Sequence, residues 1–454
     1  MTETTNNLKN LAELRACASD HHKALWHSVT LELETITPVY GGGTTAGEPD
    51  LLLPFRPRAV KNSLRHWWWL LNRHKPDYKN NSERLYKDMT AIWGGASDKD
   101  RDSQRAKVRV KVKAEPLTNA NKIQSTEYPN LGYVLWMTLQ GELEKTGAPL
   151  IKPGYTFSLQ LEIDKSIEDQ LPHLTTVVNA WLHLGGLGAR TTRGLGKVQL
   201  NSWTPVTGID IKKFFNKDDA WFKEINLSFI TRKNAHTSGL KALEFSVDAF
   251  KTFRQARQHG EIPSRKVIRS NRSYWPKADV IRALTKKYPD YHAPHQGIKV
   301  NQLPTPELLF GAPIVYKFKD KRDPEPGLLT FASNRKPLER FTSPLLLTIV
   351  RTGEDEFLPA AFSFPYWSDV RDKQVLIEPS KYIEPGIWWP DIGRDDQKPL
   401  AKKLLSGEVM QPEKLYGEAK EDPLRNALRN SATDSGNPLT AFLKFFSKWE
   451  KSIK

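Results

Sequence analysis

The sequence predicts an α+β fold, and two observations carry that expectation. Short stretches that alternate apolar and polar residues read as half-buried strands, while two longer stretches space their apolar residues by three and four and read as amphipathic helices. Over the first half they interleave as strand, helix, strands, helix, glycine-rich loop and strand.

Taken in order, "VTLELETITPVY" (29–40) alternates up to a Thr-Pro stop and then enters the loop "GGGTTAGEPD". "RAVKNSLRHWWWLLNRH" comes next, with Val60, Leu64, Trp67 and Leu71 on one helical stripe. Lys61, Arg65, Trp68 and Asn72 flank that stripe, and Arg58, Asn62, Trp69 and Arg73 lie opposite it. Trp67 is expected in the core. Trp69, an aromatic on a basic face, is placed to stack on a base or to anchor a neighbouring subunit. "KVRVKVK" (107–113) puts Lys107, Arg109, Lys111 and Lys113 on one strand face and Val108, Val110 and Val112 on the other. "YVLWMTLQGEL" (133–143) and "YTFSLQLEI" (155–163) read as further strands. A second helix over "LPHLTTVVNAWLHLGG" has Leu174, Val177, Trp181 and Leu184 at its core positions, and the strand-like "KVQL" ends the series. Near the C-terminus, Leu439, Phe442, Phe445, Phe446 and Trp449 fall at helical spacing, which predicts an amphipathic helix packed on the body or on a partner.

With 454 residues the chain is long enough for two or three domains, each burying its own core. No apolar run approaches the roughly 20 residues that span a bilayer, so no membrane association is expected. Met1 to Asn10 is polar, and the more apolar stretch after it is broken by Glu13, Arg15 and Asp20, unlike a signal peptide; a cytoplasmic location is the expectation. The single cysteine, Cys17, excludes an intramolecular disulfide and a multi-cysteine zinc site. Sixty-eight Lys and Arg against 52 Asp and Glu leave a net charge of +16, which favours a polyanionic partner, nucleic acid first. That charge is clustered. Phe55 to Lys75 holds Arg56, Arg58, Lys61, Arg65, Arg73 and Lys75 without an acid, and Lys251 to Lys287 has only Glu261 and Asp279 among its cations. Both clusters are interleaved with aromatics and read as folded surfaces rather than tails.

"LHLGGLGARTTRGLGKVQL" (182–200) sets five glycines beside Arg190, Arg193 and Lys197. A nucleotide-binding loop runs strand, glycine loop, helix, because the helix N-terminus receives the phosphate. Here the helix comes first and neither fingerprint spacing is met, so nucleotide binding is set aside. A helix-to-strand loop remains, whose glycines would bring backbone N–H groups to an anionic chain while the three cations supply charge.

"TPVYGGG", "FRPRAVKNSLRHWWWLL", "IWGGAS", "KVRVKV", "LIKPGYTFSLQL" and "GGLGARTTRGLG" occur in an order that resembles the RAMP proteins of CRISPR effector complexes. Within them the chain is similar to the family of the first subunit of the type III-B Cmr complex. "SYWPKADVIRAL", "FGAPIVYKF" and "RFTSPLLLTIV" extend the likeness over about residues 29–365. Asn62, His66 and Trp69 stand where that family commonly has glycine, phenylalanine and arginine; Thr192, Leu195 and Lys197 replace an arginine, a phenylalanine and a small polar residue. Lys61, Arg65, Arg190, Arg193, Gly194 and Gly196 match, and the resemblance implies RNA-backbone contact for them. RNA binding is also expected of Arg56, Arg58, Lys107, Arg109 and Lys111, and of Trp69 and Lys197.

The resemblance implies two ferredoxin-like (RRM-type) domains, at 24–208 and 220–370, between an N-terminal extension (1–23) and a partly helical C-terminal one (371–454). An RRM-type sheet meets single-stranded RNA through cations, aromatics and loops. The implied protein is non-catalytic and needs no cofactor or metal. It contacts CRISPR RNA near its 3′ end, helps capture target RNA in antiviral defence, and adjoins other RAMP subunits. The alternative is a RAMP endoribonuclease in which His66 or Asp50 acts as general base or metal ligand. His66 has no nearby carboxylate in sequence to orient it, Asp50 lies in a turn-like loop, and adjacent His21 and His22 point apart on a helix.

Overall fold

The computed structural model describes residues 16–45, 47–97, 102–136, 143–255, 277–290, 306–333, 336–337, 340–365, 374–379, 402–403 and 438–449. The middle of the second basic cluster, 256–276, lies outside them, as do 387–390 ("IWWP") and most of the C-terminal extension. The fold is α+β with several antiparallel sheets. It divides into two compact units. One comprises 1–226 with 233–244 and 348–359, and the other 227–232 with 245–347 and 360–454.

In the first unit, helix α1 (16–25) leads directly into β1 (Trp26–Thr35). Val29, Leu31 and Leu33 of β1 point to the core, as the alternation required. After the short β2 (Val39–Tyr40) come helices α2 (Pro57–Asn72) and α3 (Ser82–Trp93) and strand β3 (Val108–Ala114). Then come β4 (Lys122–Gln124), β5 (Pro149–Ile151), β6 (Thr156–Asp164), α4 (Leu171–Leu184) and β7 (Val198–Trp203). The main sheet runs β3-β6-β1-β7, with every neighbouring pair antiparallel. Helices α2 and α4 pack on each other, α2 also on β3 and α4 on β7. They bury Val60, Leu64, Trp67, Val177 and Trp181 with Leu31, Leu33, Leu159 and Leu161 of the strands. Strands β2, β5 and β4 form a small second sheet.

Two expectations are corrected here. The segment from Tyr133 is helical rather than extended as far as Leu135, and 137–142 lies outside the described residues. Pro129 opens a 3-10 turn that runs into this helix, and Leu131, Val134 and Leu135 are buried at the spacing of a helix rather than of a strand. On α2 the buried face is shifted from the expected stripe: Val60, Leu64 and Trp67 are buried but Leu71 is half-buried, and Trp68, Leu70 and Asn72 are buried in addition. Asn72 Nδ2 satisfies itself on the Trp68 carbonyl (2.7 Å) and lies 2.7 Å from His173 Nε2 of α4.

The elements that follow lie in the second unit except for their residues 239–244 and 348–359, which belong to the first: β8 (Ser228–Thr231) comes before α5 (Gly239–Gln255) and α6 (Lys277–Thr285). Strands β9 (Ile314–Tyr316), β10 (Gly327–Ser333) and β11 (Lys336–Pro337) come next, then the consecutive strands β12 (Leu345–Gly353) and β13 (Glu356–Ser363). Last come β14 (Gln374–Pro379), β15 (Lys402–Lys403) and α7 (Pro438–Lys448). Strand β10 is central to one sheet, pairing β9, β11 and β14, while Ala360–Ser363 of β13 pair β8. Helix α7 is the amphipathic helix expected near the C-terminus, and it packs on the body. Phe442 meets Phe250 and Phe253 at 5.4 and 5.2 Å between ring centroids, and Phe445 meets Phe253 at 5.3 Å. Arg232 donates to the Phe446 and Ser447 carbonyls in its last turn, where the helix dipole is negative.

Candidate nucleic-acid interface

Pro57 opens α2 at its first turn, and the buried face described above turns Arg58, Lys61 and Arg65 outward. Arg58 is exposed and the other two are half-buried. None of the three has an ion-pair partner among the described residues. Partial burial, and then the charge of Arg65 one turn away, lower the Lys61 pKa. Like charges at this spacing cost a helix stability. Trp69 is half-buried. It stacks with His66 (5.6 Å between ring centroids, 21° between planes), and the Arg73 guanidinium sits 4.3 Å from its ring centroid. Arg56, by contrast, is bound to Asp50 at 2.9 Å.

Three of the strand cations, Lys107, Arg109 and Lys111, have partners within the sheet or on α1–β1. Lys107 Nζ is 3.3 Å from Asp164 and donates to Ser166 Oγ at 2.9 Å; Lys111 pairs with the buried Glu162; Arg109 lies 4.1 Å from the Trp26 ring centroid. Register explains this, since β6 sets Glu162 opposite Arg109 and Gln160 opposite Lys111 on the same sheet face. That face also carries Glu32 and Glu34, held to Ser158 and Gln199. Its aromatic, Trp26, is buried beneath His22 and Arg109. The aromatic platform that an RRM-type sheet would offer is therefore not presented by the described residues of these strands.

The glycine loop joins α4 to β7 and lies against both α2 and the 36–40 segment. Gly185 comes close to Trp67, where a Cβ would sit 2.6 Å from the indole nitrogen, and Ser63 Oγ is 3.5 Å from the Gly186 carbonyl. Residues 190–193 form a turn closed by the Arg193 N–H on the Arg190 carbonyl (2.8 Å), with both arginines half-buried. Arg190 itself adopts φ +59°, a conformation uncommon outside glycine.

Gly194, Gly196 and Lys197 are placed differently from the expectation. The Gly196 N–H donates to the Pro38 carbonyl (2.9 Å), and its own carbonyl accepts the Leu187 N–H (2.8 Å). Gly194 N–H closes onto Thr191, and the Gly194 carbonyl accepts Thr37 Oγ1. These buried glycines let two backbones touch; their amides are used inside the protein rather than held out to a phosphate. Lys197 is only 2% exposed. Its Nζ donates to the carbonyls of Leu182 (3.2 Å) and His183 (2.8 Å), which end α4 and have no partner within the helix. Burial lowers its pKa to about 7. His183, stacked on Trp221, is pushed down to about 3 by burial and by Lys197, and is therefore neutral.

The two residues weighed for catalysis have other partners. Asp50 accepts the N–H groups of Leu52 and Leu53 (3.1 and 3.0 Å) and the Arg56 guanidinium, and these bonds lower its pKa. His66 lies on Trp69, its pKa lowered by desolvation and then by Arg73, and no ion pair joins it to a carboxylate among the described residues. Among those residues no group of three or more His, Cys, Asp or Glu is placed to hold a metal. No helix in them is long and apolar enough to cross a membrane.

The arrangement is that of an α+β protein in which three cations of one helix, Arg58, Lys61 and Arg65, lack an ion-pair partner among the described residues, and the same helix packs against the glycine loop at Gly185 and Gly186. Residues 32–199 match the model of the RAMP superfamily. The chain resembles Cmr1 from Pyrococcus furiosus, whose crystal structure is known in the apo form, at 14% identity and a TM-score of 0.45, covering 74% of this chain and 88% of that one. A chain of the type III-B Cmr-beta complex bound to cognate target RNA gives 10% identity and a TM-score of 0.41 over 74% and 94%. Csc2 of Thermofilum pendens gives 15% and 0.23 over 39% and 66%. No curated protein matches the chain.

Proposed function

We propose that this chain is a non-catalytic RNA-binding subunit of a type III-B CRISPR ribonucleoprotein effector, built on ferredoxin-like domains. It contacts CRISPR RNA near its 3′ end, helps capture target RNA for antiviral defence, and adjoins other RAMP subunits. The observation that carries the reading is the set of unpaired cations Arg58, Lys61 and Arg65 on α2, inside the RAMP segment and on the helix that packs against the glycine loop. The βαββαβ succession and the β3-β6-β1-β7 order support the ferredoxin-like assignment. The non-catalytic part draws on Asp50, whose carboxylate is committed to its own loop, and on His66, which lies on Trp69.

RNA would run along α2 and the 190–193 turn rather than across the sheet. Lys61, Arg65, Arg190 and Arg193 would meet phosphates, and Trp69 with Arg73 would offer a stacking surface for a base. The paired Lys107, Arg109 and Lys111 and the buried Lys197 would not take part. Ultraviolet crosslinking of the assembled particle, with both ends of the attached RNA mapped, is expected to recover guide RNAs near their 3′ ends. Unrelated transcripts, or another guide position, would reject the assignment. Replacing Arg190 and Arg193 together by alanine is expected to weaken binding of all sequences alike and to flatten the salt dependence by about one to two units of slope, since each phosphate contact releases roughly 0.9 of a counterion or less. An unchanged slope would remove the turn from the interface.

A further inference from the structure

Leu51, Leu52 and Leu53 are 50, 74 and 51% exposed. The other exposed large apolar side chains among the described residues, Leu25, Trp136, Tyr288 and Val315, stand apart from one another in sequence. Three adjacent exposed leucines are costly for a soluble surface and mark an interaction site when they persist. They are not a loosely held strand of chain. Asp50 Oδ1 accepts the N–H groups of Leu52 and Leu53, and Asp50 Oδ2 binds Arg56. The Leu51 carbonyl accepts the Leu117 N–H at 2.7 Å. Just beyond, Phe55 is buried on Phe157, with 4.5 Å between ring centroids. The loop is thus preorganised, which lowers the ordering cost of binding.

Its charge identifies the kind of occupant. Residues 47–54 ("GEPDLLLP") hold no Lys or Arg, in a chain of net charge +16, and the exposed Glu48 comes three residues before the leucines. A phosphodiester chain would be repelled by Glu48 and would find no π face on leucine to stack against. A second copy meeting loop to loop would set Glu48 against Glu48. We infer that Leu51–Leu53 form a docking knob for a different protein subunit, one that presents an apolar recess with a basic rim. This rests on the proposed function, in which that subunit is the adjoining RAMP protein of the particle.

The test places the photo-crosslinker p-benzoylphenylalanine at position 52 in the full chain, co-expressed with the other subunits of its effector and the guide RNA. Irradiation is expected to join position 52 to one different polypeptide. In parallel, Leu52→Glu should reduce recovery of the chain in the particle by about ten-fold or more, with the melting temperature and the RNA affinity of the isolated chain unchanged. Crosslinking to RNA or to a second copy, or full incorporation of Leu52→Glu, would overturn the docking knob and leave the proposed function standing. A wild-type chain that does not enter the particle would overturn both.

Discussion

Gly196→Ala is expected to destabilise the first unit by about 4 kcal/mol or more and to lower its melting temperature by roughly 10 °C. Two terms add. Gly196 has φ +68°, where a Cβ costs roughly 1–2 kcal/mol in clash with the chain's own carbonyl. That Cβ would also lie 1.8 Å from the Leu187 carbonyl oxygen, a backbone atom in the loop segment that the Leu187 N–H holds to the Gly196 carbonyl, so the segment must shift to make room. Gly132→Ala is the matched control. It sits at helical φ, −52°, with nothing within 4 Å of an added Cβ, so it should be neutral or stabilise by about 0.5 kcal/mol by restricting the unfolded chain. Thermal unfolding of both variants checks this, and equal effects would mean that the loop does not pack on itself as described.

The second large effect is a pH dependence carried by Lys197. An unfolded lysine titrates near ~10.4, and in the folded protein burial brings Lys197 to about 7. Between those values the unfolded chain holds a proton that the folded chain has released, so stability rises with pH, by up to about 1.4 kcal/mol per unit. Lys197→Met removes that contribution and leaves the Leu182 and His183 carbonyls without their donor, at about 1–3 kcal/mol. The gap between wild type and variant should therefore widen by about 2 kcal/mol from pH 7 to pH 9. Urea unfolding of both proteins at the two pH values measures it, and parallel curves would show that the ammonium stays charged in its site. His183 acts in the same direction at lower pH. With a folded pKa of about 3, it destabilises the protein as pH falls from about 6.5, because only the unfolded chain takes up the proton.

Lys197 also illustrates where sequence reading stops. A lysine next to glycines and arginines reads as part of one cationic loop, and nothing local distinguishes it from Arg193. Its burial comes from the ladder that continues β1, in which the Ile36 N–H donates to the Lys197 carbonyl and Thr37 Oγ1 accepts the Lys197 N–H, directing the side chain to the end of α4. The glycines were legible as a demand for bare backbone, but the partner of that backbone was not. It is the 36–40 segment, roughly 150 residues earlier in the chain, and a contact that distant leaves no local pattern. Lys107 and Lys111 read as a free cationic row because the acids that neutralise them, Asp164 and Glu162, lie on another strand.

Where periodicity carries the information, sequence and fold agree. The apolar faces of β1, α2, β6 and α4, their order along the chain and the C-terminal helix are set by spacing, because burying one face of a strand or helix imposes a period of 2 or 3.6 on the residues themselves. Partnership was settled elsewhere. Which cation finds an acid, which lysine caps a helix, which tryptophan is covered and which leucines stay in water depend on register and on packing between elements remote in sequence. The proposed interface therefore rests on one helix and one turn, and a row of leucines unremarkable in composition is proposed as a surface of its own.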